Sequence, residues 1–146
     1  MGEITNTNWR YQGQEVIEPP EGAYGYIYAI QDDKGKVYIG KKAFAHSVKK
    51  VLSKKARAAA DNSRIRIERT TKDSGWQTYW GSCKDLLAYI DERGTEGFHR
   101  YILKYCCDKQ NLAYWETYIL MKEGVLFKDT YNGNIAGKYF KGKIHV

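Results

Sequence analysis

Apolar and polar positions alternate along Tyr24–Gln31 (YGYIYAIQ) and again along Lys36–Lys41 (KVYIGK), and this period of two predicts two strands. Asp32-Asp33-Lys34-Gly35 between them has the composition of a tight turn, so the pair reads as a hairpin. From Ala43 to Ala60 the spacing changes. Phe44, Val48, Val51, Leu52 and Ala59 fall on one side at helical intervals, and His46, Lys50, Ser53 and Arg57 fall on the other. That pattern predicts an amphipathic helix. Asp61–Ser74 is polar and basic, and its Arg64-Ile65-Arg66-Ile67 alternation is compatible with a short strand or a loop. Ser82 is placed to cap a helix running to Arg93, with Asp85 in its first turn and Gly94 as its stop. Phe98–Cys106 (FHRYILKYC) reads as a third strand. Asp108 caps a helix to about Lys122, which Gly124 ends. Val125–Phe127 is expected to be extended, and Tyr131–Gly137 (YNGNIAG) to turn.

Strands and helices therefore interleave without regular βαβ units. The expected fold class is α+β: a small mixed or antiparallel three-stranded sheet flanked by helices. The 146 residues suit one domain with a real core. Residues 1–20, polar and closed by Pro19-Pro20, are expected to form an N-terminal arm or loosely attached edge, and 21–146 the domain proper.

Charge narrows the partner. The formal net charge is +7, which points to a polyanion, either nucleic acid or an acidic membrane. Between Lys41 and Lys72 there are eleven Lys or Arg against two acids, Asp61 and Glu68. A basic face beside the hairpin, including Lys41, Lys42, Lys49, Lys50, Lys54, Arg66 and Arg69, would make a phosphate track. Cys83, Cys106 and Cys107 are odd in number and lack CxxC spacing, which argues against a disulfide framework and a zinc site. With no signal peptide and no spanning apolar run, the expectation is a cytoplasmic protein with reduced thiols and no membrane partner.

One acidic residue stands apart. Leu112, Trp115, Ile119 and Leu120 form the apolar stripe of the last helix, and Glu116 lies on it. A buried carboxylate is costly without a cation or donors. A single carboxylate suits Mg²⁺, which keeps several waters and takes few protein ligands. An ion pair with Lys or Arg would serve equally.

On the hairpin, Tyr26 and Tyr28 share one face, and the turn can bring Tyr38 beside one of them. Cross-strand aromatic packing alone accounts for such a trio. Yet YIYAI, a seven-residue gap and YIG together resemble the paired motif of GIY-YIG nucleases, with Tyr26 where that family usually has Gly. Tyr79-Trp80-Gly81-Ser82, Gly97-Phe98–Leu103, Glu116 and Tyr131-Asn132 follow in the order found in phage-type, Seg-like members, so the resemblance covers roughly Tyr24 to Gly137.

The resemblance implies a divalent-metal-dependent endonuclease acting on double-stranded DNA, of the phage or homing kind. It implies that Tyr38 is the general base, that Tyr28 orients the water or phosphate, and that Glu116 holds Mg²⁺ or Mn²⁺. Asn132 would fix the nearby turn, with Asn134 as the other candidate. A Tyr acting as base needs its pKa of about 10 lowered by nearby positive charge. The family's Arg after YIG has no clear counterpart, because the simplest spacing falls on Val48. Arg57 shares its helix face with His46 and Lys50, and Arg66 and Arg69 are alternatives. That departure keeps open a catalytically weak DNA-binding or regulatory module of the same fold. Long-site recognition would come from this domain, from a homodimer or from a partner.

Overall fold

A computed structural model describes residues 7–51 and 67–145, with the backbone alone at 48–51 and 67–70. In chain order its elements are β1 (Trp9–Tyr11), β2 (Gln14–Glu15), β3 (Gly25–Gln31), β4 (Val37–Ala43), β5 (Ala45–Val51) and β6 (Ile67–Asp73). A 3-10 turn at Trp76–Thr78 follows, then α1 (Lys84–Arg93), β7 (His99–Cys106), α2 (Lys109–Lys122), β8 (Asn134–Ile135) and β9 (Tyr139–Phe140).

The hairpin forms as its alternation predicts, with Tyr28 opposite Gly40 and Ile30 opposite Tyr38. It belongs to a mixed five-stranded sheet of order β2-β1-β7-β3-β4, in which β1 and β7 run parallel and the other pairs antiparallel. The α+β class holds, with five strands where three were expected. The three expected strands are the neighbours β7, β3 and β4. The two additional strands come from residues 9–15, within the segment read as an arm or edge. There Trp9 is fully buried and its indole N–H donates to the Trp76 carbonyl at 2.7 Å.

Alternation along β3 divides the core. Tyr26, Tyr28 and Ile30 face a cluster with Trp9, Phe44, Trp76, Leu86 of α1, Phe98 and Ile102. Ile27 and Ala29 face a second cluster with Ile39, Leu112 and Leu120 of α2, Val125, Leu126 and Ile135. Each fully buried side chain of this size contributes roughly 1.5–3 kcal/mol. A slip of one residue would exchange the two faces, so the pattern fixes the register.

The helix ends follow their caps. The Asp108 carboxylate accepts from the Asn111 amide at 2.7 Å and starts α2. Cys83, one residue beyond Ser82, is the N-cap of α1, and Gly94 at φ +78° ends it. Val125–Phe127 turns instead of extending, with the Phe127 amide bonded to the Gly124 carbonyl. Tyr131–Gly137 leads into the short β8–β9 pair.

The largest difference lies after the hairpin. Ala45–Val51 is a strand and not the start of a helix, and it pairs antiparallel with Ile67–Asp73. The intervening part of the expected helix, including Lys54 and Arg57, lies outside the described residues, as does Arg66. Phe44 had been counted on the helical stripe. It is the buried root of the β5–β6 ribbon, packed on Tyr26, Trp76 and Tyr105. β-branched Val48 and Val51 suit a strand at least as well as a helix.

Candidate active site

β4 is the outer strand of the sheet, and an uncovered outer strand invites further pairing. Here the loop after α2 covers it. The Tyr131 amide donates to the Val37 carbonyl at 2.9 Å. The Asn132 side chain donates to the Ile39 carbonyl at 2.8 Å and accepts from the Ile39 amide at 3.0 Å. A carboxamide carries one donor group and one acceptor, like a peptide unit. Buried Asn132 thus stands in for a residue of a missing neighbouring strand. A second tie comes from the Tyr131 hydroxyl, which donates to Asp32 in the hairpin turn at 2.7 Å. Asn134 accepts from the Gly137 amide and closes its own turn.

A cleft of about 220 Å³, lined by Tyr38, Ile39, Glu116, Asn132 and Asn134, opens where this loop meets β4 and α2. Tyr38 reaches it from one face of β4. Its hydroxyl lies 3.1 Å from the Ser82 hydroxyl. Burial pushes the phenol above the usual tyrosine range, the bond to Ser82 draws it back, and the Glu116 charge adds to the rise. The direction is opposite to the lowering that a general base needs, because burial dominates in the chain by itself.

Glu116 enters from α2. It pairs with Lys41 on the other face of β4, with Nζ 3.8 Å from Oε1. Burial raises its carboxyl above the ordinary range, and Lys41 offsets only part of that. The carboxylate is thus half-buried, under-compensated and open to a polar cleft, a donor arrangement that fits one hard divalent cation with water completing its shell. Among the described residues, no group of three or more His, Cys, Asp or Glu gathers into a metal cluster.

Tyr28 lies beneath the site and does not line it. It is fully buried, and its ring crosses over Gly40: a Cβ on Gly40 would fall 2.5 Å from the Tyr28 hydroxyl oxygen. Burial, with Tyr79 alongside, holds the Tyr28 hydroxyl far above the usual range. Its ring centre is 6.1 Å from that of Tyr38. Two halves of the sequence motif therefore meet in one packing contact. Lys42, on the Tyr38 face, sits over the Tyr79 ring at 4.1 Å.

Of the residues singled out by sequence, the structure brings Tyr38, Glu116, Asn132 and Lys41 together, with Tyr28 and Lys42 adjoining. Lys49, Lys50 and Arg69 are placed on the β5–β6 ribbon.

Two residues had been read otherwise or overlooked. Ser82 looked like a helix cap but pairs with Tyr38. Arg100 is buried between Trp9 and Trp80 and donates to the carbonyls of Thr7, Gln77 and Tyr79. Burial lowers its pKa to about 10, so it stays charged at neutral pH. Its signal was present in the sequence: an Arg two residues from Ile102 on a strand's apolar face.

The tyrosine hairpin, the carboxylate on the helix behind it and the Asn loop sealing the outer strand are the parts of a GIY-YIG nuclease domain. A family model described as "Putative endonuclease segE, GIY-YIG domain" matches residues 9–144, and the chain belongs to that family. The match begins at Trp9, the first residue of β1. Among curated proteins and among solved structures, none matches the chain. Among the described residues, no helix is long and apolar enough to cross a membrane.

Proposed function

We propose that this cleft hydrolyses phosphodiester bonds in double-stranded DNA with the help of a divalent cation, Mg²⁺ or Mn²⁺. The observation that carries the reading is that Tyr38 and Glu116 line one cleft at the sealed edge of the motif strand. Glu116 would hold the cation, which would supply positive charge beside the scissile phosphate and favour loss of the Tyr38 proton against the upward pull of burial. Tyr38 gives up its own proton to solvent and, as a phenolate held by a hydrogen bond from Ser82, takes the proton from the attacking water as the water oxygen bonds to phosphorus. The bond to the leaving sugar oxygen breaks, and that oxygen is protonated from solvent. Lys41 and Lys42 flank the site and draw the DNA backbone toward it. Asn132 holds the loop and so keeps the Glu116 side of the cleft against the Tyr38 side.

Conversion of supercoiled plasmid to nicked circles tests the reading. Nicking is expected with Mg²⁺, lost with EDTA and lost in Glu116→Gln, which still binds DNA. Nicking by Glu116→Gln at the wild-type rate overturns the metal assignment. No nicking by wild type with either metal, despite DNA binding, overturns the nuclease.

A further inference from the structure

The β5–β6 ribbon is built unlike the rest of the molecule. It forms a sheet of its own, and among the described residues no other element packs closely against either strand. Isolated two-stranded ribbons are marginal in water, so one seven residues long in each strand calls for something to rest on.

Its register separates two faces. Ser47 pairs with Thr71 and Lys49 with Arg69 on one face; His46 pairs with Lys72, Val48 with Thr70 and Lys50 with Glu68 on the other. The first face gathers four hydrogen-bond donors in two adjacent pairs, flanked by Ala45 opposite Asp73 at the root and Val51 opposite Ile67 at the far end. The second sets an acid against a base. Neither face has the apolar content of β3.

The root of the ribbon is tied to the body of the domain. Phe44 is buried, its amide donates to the Tyr24 carbonyl at 3.0 Å, and the Ser74 amide donates to the Phe44 carbonyl at 3.0 Å. The Ser74 hydroxyl also donates to the Ala43 carbonyl. The ribbon is therefore anchored at the end of the motif strand β4.

We infer that the β5–β6 ribbon enters the major groove of DNA, with the face that carries Ser47, Lys49, Arg69 and Thr71 toward the base edges, and gives the domain a sequence preference of its own. This rests on DNA being the substrate. A two-stranded ribbon has the size the major groove admits, about 12 Å wide. Each strand rises roughly 20 Å over its length, at about 3.3 Å per residue. Arg or Lys to guanine and Ser or Thr to any base are the pairings that groove offers. At no more than about 3.5 Å per residue from Tyr38, these contacts fall within roughly ten base pairs of the cut.

The test is selection from a pool of 40-base-pair random duplexes, half of it methylated at guanine N7 with dimethyl sulfate, by the full-length chain in EDTA. Wild type is expected to enrich a base preference and to discriminate against N7 methylation within it by about tenfold. The variant Ser47→Ala/Lys49→Ala/Arg69→Ala/Thr71→Ala should melt at the wild-type temperature and lose both effects. Lys50→Ala/Lys72→Ala should bind more weakly and keep both. Enrichment and methylation sensitivity unchanged in the quadruple variant overturn the inference, as does wild-type binding with neither. Plasmid nicking by the same wild-type protein is scored separately. Groove reading without nicking overturns the nuclease and keeps this inference, and nicking with groove-blind binding does the reverse.

Discussion

Gly40→Ala is the sharpest test of how the two halves of the motif fit. The added methyl would lie 2.5 Å from the Tyr28 hydroxyl oxygen, 2.7 Å from its Cζ and 3.2 Å from Cε2 of Tyr38. Comfortable carbon contacts lie at about 3.5–4.0 Å, so the Tyr28 ring must retreat by roughly 1 Å. It has nowhere to go, with Trp9 5.3 Å, Tyr79 5.8 Å and Tyr26 6.0 Å from it, ring centre to ring centre. Overpacking of this kind costs about 1–3 kcal/mol. Replacing Gly stiffens the unfolded chain and returns about 0.4–1 kcal/mol. The net loss is about 1–2 kcal/mol, or roughly 3–8 °C in Tm for a chain of this size. Thermal melts followed by circular dichroism read it directly. The cause is isolated by repeating Gly40→Ala on a Tyr28→Leu background, where the ring is gone and the methyl has room. There the substitution should be neutral or stabilising, giving a coupling of at least about 1 kcal/mol. A Gly40→Ala protein that melts at or above the wild-type temperature with Tyr28 intact refutes the reasoning.

Five further outcomes are expected. Glu116 has its carboxyl raised in the fold, so its contribution is favourable while protonated and is lost as pH climbs from the unfolded value near ~4.3 through the folded one. Glu116→Gln should therefore be more stable than wild type at pH 7 and about equal at pH 4, and equal stability at both shows that the charge is not under-compensated. Tyr38→Phe should lower single-turnover nicking on the order of 10²-fold without changing Tm. Ser82→Ala should move the pH–rate profile to higher pH, since the Ser82 bond draws the phenol down; an unmoved profile removes Ser82 from the site. Asn132→Asp puts an oxygen where an N–H now meets the Ile39 carbonyl. It should cost about 2–3 kcal/mol by urea titration, and a loss below 1 kcal/mol denies the loop its part in sealing β4. Tyr26 fills the place where the family usually has Gly, and its buried hydroxyl has no partner among the described residues. Tyr26→Phe should gain about 1 kcal/mol, and a loss of that size means the hydroxyl is bonded after all.

The central elements were legible because each is set by local chemistry. Strict alternation gave β3 and β4, Asp108 and Gly124 bracketed α2, and a carboxylate on an apolar stripe marked Glu116. The misreadings come from long-range pairing. Trp9 is buried through β1 lying beside β7, a partner 91 positions away at Arg100. Nothing within the first twenty residues announces that. Phe44, Val48 and Val51 satisfy a helical period, but Val51 pairs with Ile67 and Ala45 with Asp73. A periodicity read within one window cannot see the second strand. Ser82 has the chemistry of a cap as well as that of a hydroxyl partner, and only the fold brings it to Tyr38. The general-base environment was not legible either, since the upward pull of burial on Tyr38 depends on what surrounds it in three dimensions.

The place of β7 in the sheet also sets a timetable. It lies between β1 and β3, so the N-terminal strand waits for residues 99–106 before it can join more than its short partner β2. Tyr38 leaves the ribosome early, Glu116 follows β7, and Asn132 comes later still. At about 5–20 residues per second, the interval between Tyr38 and Asn132 is roughly 5–20 s. Throughout that time the growing chain holds one side of the cleft without the other. A ribosome making a domain of an endonuclease family thus carries no assembled cleft until the sheet and its sealing loop are in place, and no proteolytic fragment ending before α2 holds one.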